Sequence, residues 1–140
     1  MRFFYDEMAR RFPEIRDRFS EGDDELPYAV MGYLSDWLKE LAEGEITPQI
    51  VDRLVLFKSW CEEQPRGKDA GDDLPTILMV GFYEHLFDSE ATRALVPRFI
   101  SREDFIAGAD YLRSWVGAAN YEATRRYYKP AVASKRSRRI

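Results

Sequence analysis

The sequence predicts a single all-α domain, a compact bundle of six or seven helices around a buried central helix at about residues 74–87. The first observation is the stretch LPTILMVGFYEHLF, which leaves almost no polar face, as is typical of a helix surrounded by its neighbours. The second is that apolar residues recur at spacings of three and four on both sides of this stretch. The third is that helix-start signals, a short polar residue followed by proline or an acid, precede several of these segments.

Three helices are predicted before the centre. The first covers 3–19 and is interrupted or kinked near Pro13, with one apolar stripe along it. The second follows Asp24, which can cap it, carries a proline in its first turn and runs to about residue 42. The third opens at Thr47, again with a proline behind the cap, and ends near residue 64.

The central helix has a clear start signal, since Asp72 or Asp73 can cap its free N–H groups. A strand is the competing prediction for 77–83, because β-branched and aromatic residues favour strands, but the length and the caps favour a helix. Gly81 costs about 1 kcal/mol against alanine in a helix interior. We therefore expect Gly81 to allow a neighbouring helix to approach closely.

Beyond the centre, the pattern predicts a short helix over 89–95, a helix from Ser101 to Gly117 and a last helix over 120–128. Ser101 is a serine cap with an acid three residues on, and Gly117 is a stop signal. The remainder, 129–140, is basic and rich in small polar residues, and we expect it to be disordered. The predicted organisation is thus one helical domain, 1–128, and a tail.

Composition and charge limit the classes of function that the chain can have. The chain has 140 residues, of which 45% are hydrophobic, enough for a folded core. The net charge is −4, but 129–140 holds five Lys or Arg residues and no acid, so the body carries 16 basic and 25 acidic residues. An acidic body does not suit nucleic-acid binding by the domain itself.

The N-terminus lacks the apolar core of a signal peptide, and no stretch has the 20 or so apolar residues of a membrane span. Cys61 is the single cysteine, so no internal disulfide is possible. We expect a cytoplasmic protein without membrane contact. We interpret Cys61 as a buried core thiol, because no pattern of a cysteine nucleophile surrounds it.

The sequence contains no phosphate-binding loop, paired-cysteine zinc site or HExxH motif, and we expect no metal and no cofactor. Glu84 and His85, the chain's single histidine, are the polar pair near the end of the central helix. One interpretation is a small enzyme or ligand sensor with a pocket at Glu84 and His85, lined by Tyr83 or Tyr111. The alternative is that both side chains are structural.

The aromatic content, 14% of the residues, suggests a protein-binding surface, since Tyr and Trp are enriched at interfaces. Aromatic side chains beside acids would suit a basic protein partner. Our first functional hypothesis is a non-enzymatic protein-binding module. Its candidate contact residues are Asp36, Trp37, Asp69, Asp72 and Asp73. A homodimer through Trp37 or Trp115 remains open.

The tail gives a third hypothesis. Its basic residues could bind nucleic acid or an acidic partner through phosphates or carboxylates. The alternative is a solubilising terminus. The candidate residues of the tail are Lys135, Arg136, Arg138 and Arg139.

At DDLPTILMVGFYEHLF, FKSWCEE and SREDFIAGADYLRSWVG, the chain resembles a family of small all-helical bacterial proteins of unassigned function. The resemblance covers most of residues 26–128 and consists mainly of core patterns. It implies a shared helical fold. By analogy of size, charge and class, such proteins are similar to toxin-neutralising immunity proteins, and the analogy implies no catalytic residues.

Overall fold

A computed structural model of the protein describes residues 2–128, and throughout this range the regular structure is helical, without strands. The all-α prediction is confirmed, and the strand alternative for 77–83 is excluded. Candidates in the tail, Lys135, Arg136, Arg138 and Arg139, lie outside the described residues.

The described residues form nine α-helical elements and two short 3₁₀ helices. The α-helices before the centre are α1 (Arg2–Arg11), α2 (Pro27–Ala42) and α3 (Pro48–Glu63). Helix α4 covers 74–86 and consists of an α-helical start, Leu74–Leu78, a π-helical segment, Met79–Tyr83, and a last turn, Glu84–Leu86. The short helices that follow are α5 (Glu90–Arg93), α6 (Val96–Phe99), α7 (Arg102–Ala107), α8 (Ala109–Val116) and α9 (Ala118–Arg125).

The expected count of six or seven helices is not confirmed. The predicted helix from Ser101 to Gly117 divides at Gly108, whose backbone (φ −93°, ψ 17°) leaves the helical region, and Val96–Phe99 forms an additional turn. Asp24 does not cap α2. It belongs to the 3₁₀ helix Asp23–Glu25, and Leu26 takes the cap position without a side-chain hydrogen bond.

The first predicted helix is interrupted where Pro13 follows Phe12. A proline disfavours the helical region for the residue before it, and Phe12 has φ −130° and ψ 70°. The chain continues as the first of the two 3₁₀ helices, Pro13–Arg18. The apolar stripe survives this change, since Phe12 and Ile15 are both completely buried.

Helix α4 packs against α2 at very short range. A Cβ atom on Gly81 would lie 2.7 Å from Cγ of Met31 in α2, so only glycine fits without displacing that side chain. The Ser35 hydroxyl of α2 donates a hydrogen bond of 2.6 Å to the carbonyl oxygen of Gly81. The prediction that Gly81 allows close helix approach is confirmed.

An aromatic cluster within the core joins the C-terminal helices to the end of α4. The ring of Phe105 stacks on Phe87 at 6.4 Å and on Tyr121 and Tyr128 at 4.3 Å each. The Tyr121 hydroxyl donates to the carbonyl oxygen of Phe105 at 2.7 Å. These contacts fix α7 and α9 beside α4.

Within residues 2–128, none of the helices combines the length and the apolar character that crossing a membrane requires.

Candidate functional site

The start of α4 is set by Asp73. Its carboxylate accepts hydrogen bonds from the Thr76 N–H at 3.2 Å and the Thr76 hydroxyl at 2.6 Å, which satisfies the first turn of the helix. It also accepts two bonds from Arg66, at 2.7 and 2.8 Å, and one from the Gly67 N–H at 2.9 Å. The Arg66 guanidinium, together with Thr76, holds the pKa of Asp73 well below its usual range.

The middle of α4 is π-helical rather than α-helical. The Glu84 N–H donates to the carbonyl oxygen of Met79, five residues back, which is the hydrogen bond of a π-turn. Such a turn inserts one residue into the helix, so the side chains beyond it are rotated by about 100° relative to an uninterrupted α-helix. Single π-turns occur frequently at functional sites.

Tyr83 is the last residue of this π segment. The ring packs against Phe82 at 6.0 Å and Phe99 at 6.3 Å, and 5% of the residue is exposed. Its hydroxyl oxygen is buried and has no hydrogen-bond partner, a condition unique among the buried side-chain N and O atoms of residues 2–128. Burial, with a smaller contribution from the Glu62 carboxylate, raises the pKa of Tyr83 far above its usual value, so the phenol stays neutral.

The Tyr83 side chain forms part of the wall of a cavity of about 230 Å³ between α3, α4 and the α6–α8 region, which we call the Tyr83 cavity. Apolar groups make up most of its exposed lining, and charged groups from α3 and α7 complete it. The lining residues are Lys58, Glu62, Met79, Tyr83, Phe99, Ile100, Asp104, Gly108, Tyr111 and Leu112.

The charged groups of the Tyr83 cavity differ in their surroundings. The Lys58 ammonium lies 3.1 Å from the Glu62 carboxylate, one turn further along α3. Asp104 lies in the first turn of α7, where its N–H donates to the Ser101 hydroxyl at 3.0 Å, as the predicted cap requires. The Asp104 carboxylate makes no hydrogen bond or ion pair with another residue in 2–128.

Glu84 and His85, the sequence-predicted polar pair, do not line the Tyr83 cavity. The His85 Nδ1 atom lies 3.4 Å from the Asp88 carboxylate at the surface, and the depression beside the imidazole is too small for a water molecule. Glu84 is half-buried, and burial raises the pKa of its carboxyl group. The predicted pocket at Glu84 and His85 is therefore not the Tyr83 cavity, and Glu84 does not line the small depression beside His85.

Of the residues predicted to contact a partner, some are exposed and others are buried in the structure. Asp36, Asp69 and Asp72 are exposed. Trp37 is 8% exposed and packs edge-on against Phe12 at 6.0 Å, so its ring belongs to the core. Asp73 is 4% exposed and holds the start of α4.

The exposed loop acids also have local partners. The Asp72 carboxylate accepts from the Asp69 N–H at 3.0 Å, and the Asp69 carboxylate accepts from the Gly71 N–H at 2.8 Å. Tyr28 reaches the same loop, since its hydroxyl donates to the Ala70 carbonyl oxygen at 2.7 Å. These carboxylates therefore shape the loop 66–73 as well as carrying charge.

The described residues contain no group of three or more His, Cys, Asp or Glu side chains placed to hold a metal ion. Cys61 is buried, and burial raises the pKa of its thiol to about 12. The thiolate is thus scarce at neutral pH, as expected of a core thiol.

Sequence reasoning named Tyr83 and Tyr111 as the lining of a pocket but missed Lys58, Glu62 and Asp104. The Lys58–Glu62 spacing of four residues, and an acid in the first turn after Ser101, are visible in the sequence. Nothing in the sequence brings these two signals together, because the residues lie more than 40 positions apart and meet only through packing.

Comparison with family models, with curated proteins and with solved structures gave no match. The resemblance to small bacterial helical proteins therefore stays a prediction.

Proposed function

We propose that the protein binds a small molecule in the Tyr83 cavity. The observation that carries the proposal is the buried Tyr83 hydroxyl, which has no hydrogen-bond partner in the described structure. Leaving a buried polar group without a partner costs about 1–3 kcal/mol. A ligand whose binding uncovers this hydroxyl and supplies the missing hydrogen bond would recover this free energy.

The size and lining of the cavity support the proposal. An apolar cavity of about 150 Å³ is large enough to hold benzene, and the Tyr83 cavity has about 230 Å³. Ligand sites combine a mainly apolar wall with a few polar groups that orient the ligand. Here Met79, Phe99 and Leu112 contribute apolar wall, and Lys58 and Asp104 contribute polar groups.

The π-helical segment of α4 gives further support to the proposed small-molecule site. Tyr83 is the last residue of the π segment, and the Ser35 hydroxyl of α2 donates to the carbonyl oxygen of Gly81 in the same segment. A tertiary contact thus lies in the same irregular segment as the residue with the unpartnered hydroxyl. This arrangement is typical of a side chain that serves a binding site.

A fragment screen tests the proposal. Ligand-observed NMR against a library of one-ring compounds should identify fragments that compete with one another and shift the amide signals of Tyr83, Ile100 and Gly108. Ile100→Trp fills the cavity and should abolish binding, whereas Tyr83→Phe should weaken it by about two- to tenfold, the value of one neutral hydrogen bond. Circular dichroism verifies that both variants are folded. Fragments scattered over the surface, or binding unchanged in Ile100→Trp, would refute the proposal.

Protein binding is a second candidate function, in the form of a module that contacts a basic partner through an acidic and aromatic surface. The exposure of Asp36, Asp69 and Asp72 favours it. The exposed rings of Tyr111 and Trp115, whose centroids lie 5.9 Å apart, add aromatic surface. An immunity-like inhibitor would use such groups.

The test of the second candidate uses a matched set of variants. Asparagine keeps a side-chain oxygen that accepts the loop N–H bonds, so Asp69→Asn with Asp72→Asn removes charge and preserves the loop. A basic protein that copurifies stoichiometrically with the wild type should be lost with this double variant and retained with Asp17→Asn, an exposed acid in the 3₁₀ helix Pro13–Arg18. Retention of the partner by both variants would argue against an acidic contact surface.

A further inference from the structure

We infer that the ligand of the Tyr83 cavity is a small organic cation, an amine with an aromatic or aliphatic body, held by the carboxylate of Asp104. The inference rests on the proposed function and gives its ligand a chemical class. It is drawn from the charges, the rings and the unpartnered hydroxyl around the cavity.

The charges of the lining favour a cation. Lys58 and Glu62 neutralise each other at 3.1 Å, which leaves Asp104 as the unbalanced charge of the lining. The net charge of these three groups is therefore −1. An ammonium group beside the Asp104 carboxylate would form a charge-assisted hydrogen bond, which is about twice as strong as a neutral one.

The aromatic rings of the lining favour the same class. The rings of Tyr83, Phe99 and Tyr111 all contribute to the cavity wall. The face of an aromatic ring attracts a cation within about 6 Å of its centre. Tyr111 is 51% exposed, which leaves its ring free to pack over a bound ligand.

The unpartnered hydroxyl is compatible with an amine. An ammonium group has hydrogen-bond donors only, and a phenol oxygen can accept from them. The phenol of Tyr83 is neutral. The amine would thus donate to the Asp104 carboxylate, while its carbon skeleton contacts Met79 and Leu112 in the apolar wall. Its contact with the buried Tyr83 oxygen requires the surrounding side chains to shift and uncover that atom.

The experiment compares three probes of similar size and different charge on the full chain: phenethylamine, phenethyl alcohol and phenylacetate. Binding is measured at pH 7 by calorimetry and located by amide chemical shifts at Gly108 and Tyr111. We expect the amine to bind about tenfold more tightly than the alcohol, and the carboxylate to bind more weakly still. Asp104→Asn should remove the preference for the amine, and Asp110→Asn, an acid outside the cavity lining, should preserve it.

The outcomes separate this inference from the proposed function. The alcohol or the carboxylate could bind as tightly as the amine or more tightly at the same amides, with binding weakened by Tyr83→Phe. This result would contradict the inference that the ligand is a cation, and it would support the proposal that the cavity binds a small molecule. A preference for the amine that survives Asp104→Asn would overturn the role of Asp104. If none of the three probes binds, the inference of a cationic ligand is wrong. The fragment screen with Ile100→Trp then decides whether the cavity binds any ligand.

Discussion

The carboxylate of Asp73 accepts five hydrogen bonds, from Arg66, Gly67 and Thr76, and so joins the loop 66–73 to the start of α4. The charged form of this carboxylate is favoured by folding, since the pKa of Asp73 is lowered in the native protein. A lowered pKa contributes stability above the pKa of the unfolded chain, about 3.9, and the contribution is lost as the pH falls below that value.

Asp73→Ala should lower the free energy of unfolding by about 1–2 kcal/mol at pH 7, the usual cost of losing a helix cap. The difference from wild type should shrink between pH 5 and pH 3, because the native carboxylate then loses its advantage over the unfolded one. Urea denaturation at several pH values measures both effects. Asp110→Ala is the control, since Asp110 caps no helix end, and an equal loss there would contradict a specific role for Asp73.

Two tyrosines differ in one respect that mutation can isolate. Tyr83 has a buried hydroxyl without a partner, whereas the hydroxyl of the completely buried Tyr121 donates to Phe105 at 2.7 Å. Tyr83→Phe should leave the free energy of unfolding unchanged or raise it by up to about 1 kcal/mol, because it removes an unsatisfied polar group. Tyr121→Phe should lower it by about 1–2 kcal/mol, because a buried carbonyl oxygen loses its donor.

Thermal and urea unfolding of the two variants measure this difference directly. The opposite ranking, with Tyr83→Phe the more damaging, would mean that the Tyr83 hydroxyl has a partner in solution.

The packing of α2 against α4 is the contact between elements that depends most on a small residue. Gly81→Ala would place a methyl group 2.7 Å from Cγ of Met31, an atom near the backbone that cannot swing away freely. We expect the free energy of unfolding to fall by about 1–3 kcal/mol, as overpacking of a core usually costs. The gain in helix propensity, about 1 kcal/mol, offsets part of this loss.

Gly32→Ala is the matched control within α2. A Cβ at Gly32 has no atom within 4 Å, so the gain in helix propensity should appear alone and raise the free energy of unfolding by about 0.5–1 kcal/mol. Denaturant unfolding of both variants tests the pair. Equal effects of the two substitutions would show that the distance between Gly81 and Met31 is large enough in solution to admit a methyl group.

The labelling rate of the Cys61 thiol reports on unfolding of the core, because this residue is completely buried at the inner face of α3. Because burial raises the pKa of its thiol to about 12, the native protein should react with a disulfide reagent at pH 8 far more slowly than the unfolded chain. The labelling rate should rise with urea in parallel with global unfolding measured by circular dichroism. Fast labelling in the absence of urea would show that α3 opens locally.

Many local features were predictable because they depend on residues within one turn. Thr47 and Ser101 cap α3 and α7 as predicted, and Gly117 ends α8 with a φ of 92°, which glycine adopts readily. Asp73, one of two predicted candidates, caps α4. Trp37 was predicted to contact a partner, but it lies within the apolar stripe of α2, three residues after Leu34, and is buried with that stripe.

The candidate site was predictable only in part. Tyr83 and Tyr111 were named as the lining of a pocket, and that pocket was assigned to Glu84 and His85. The π-turn rotates the side chains of α4 that follow it, and the same segment contains Gly81, which packs against Met31 of α2. Helical periodicity assumes 3.6 residues in every turn, so it does not predict an inserted residue.

Helix periodicity, caps and stop signals in the chain were sufficient to define an all-helical protein and the starts of several of its helices, because these depend on side chains three or four residues apart. The tertiary structure alone decided the Tyr83 cavity and left the buried Tyr83 hydroxyl without a partner. These features depend on how α3, α4 and the α6–α8 region pack together, and packing joins residues that lie tens of positions apart in the chain.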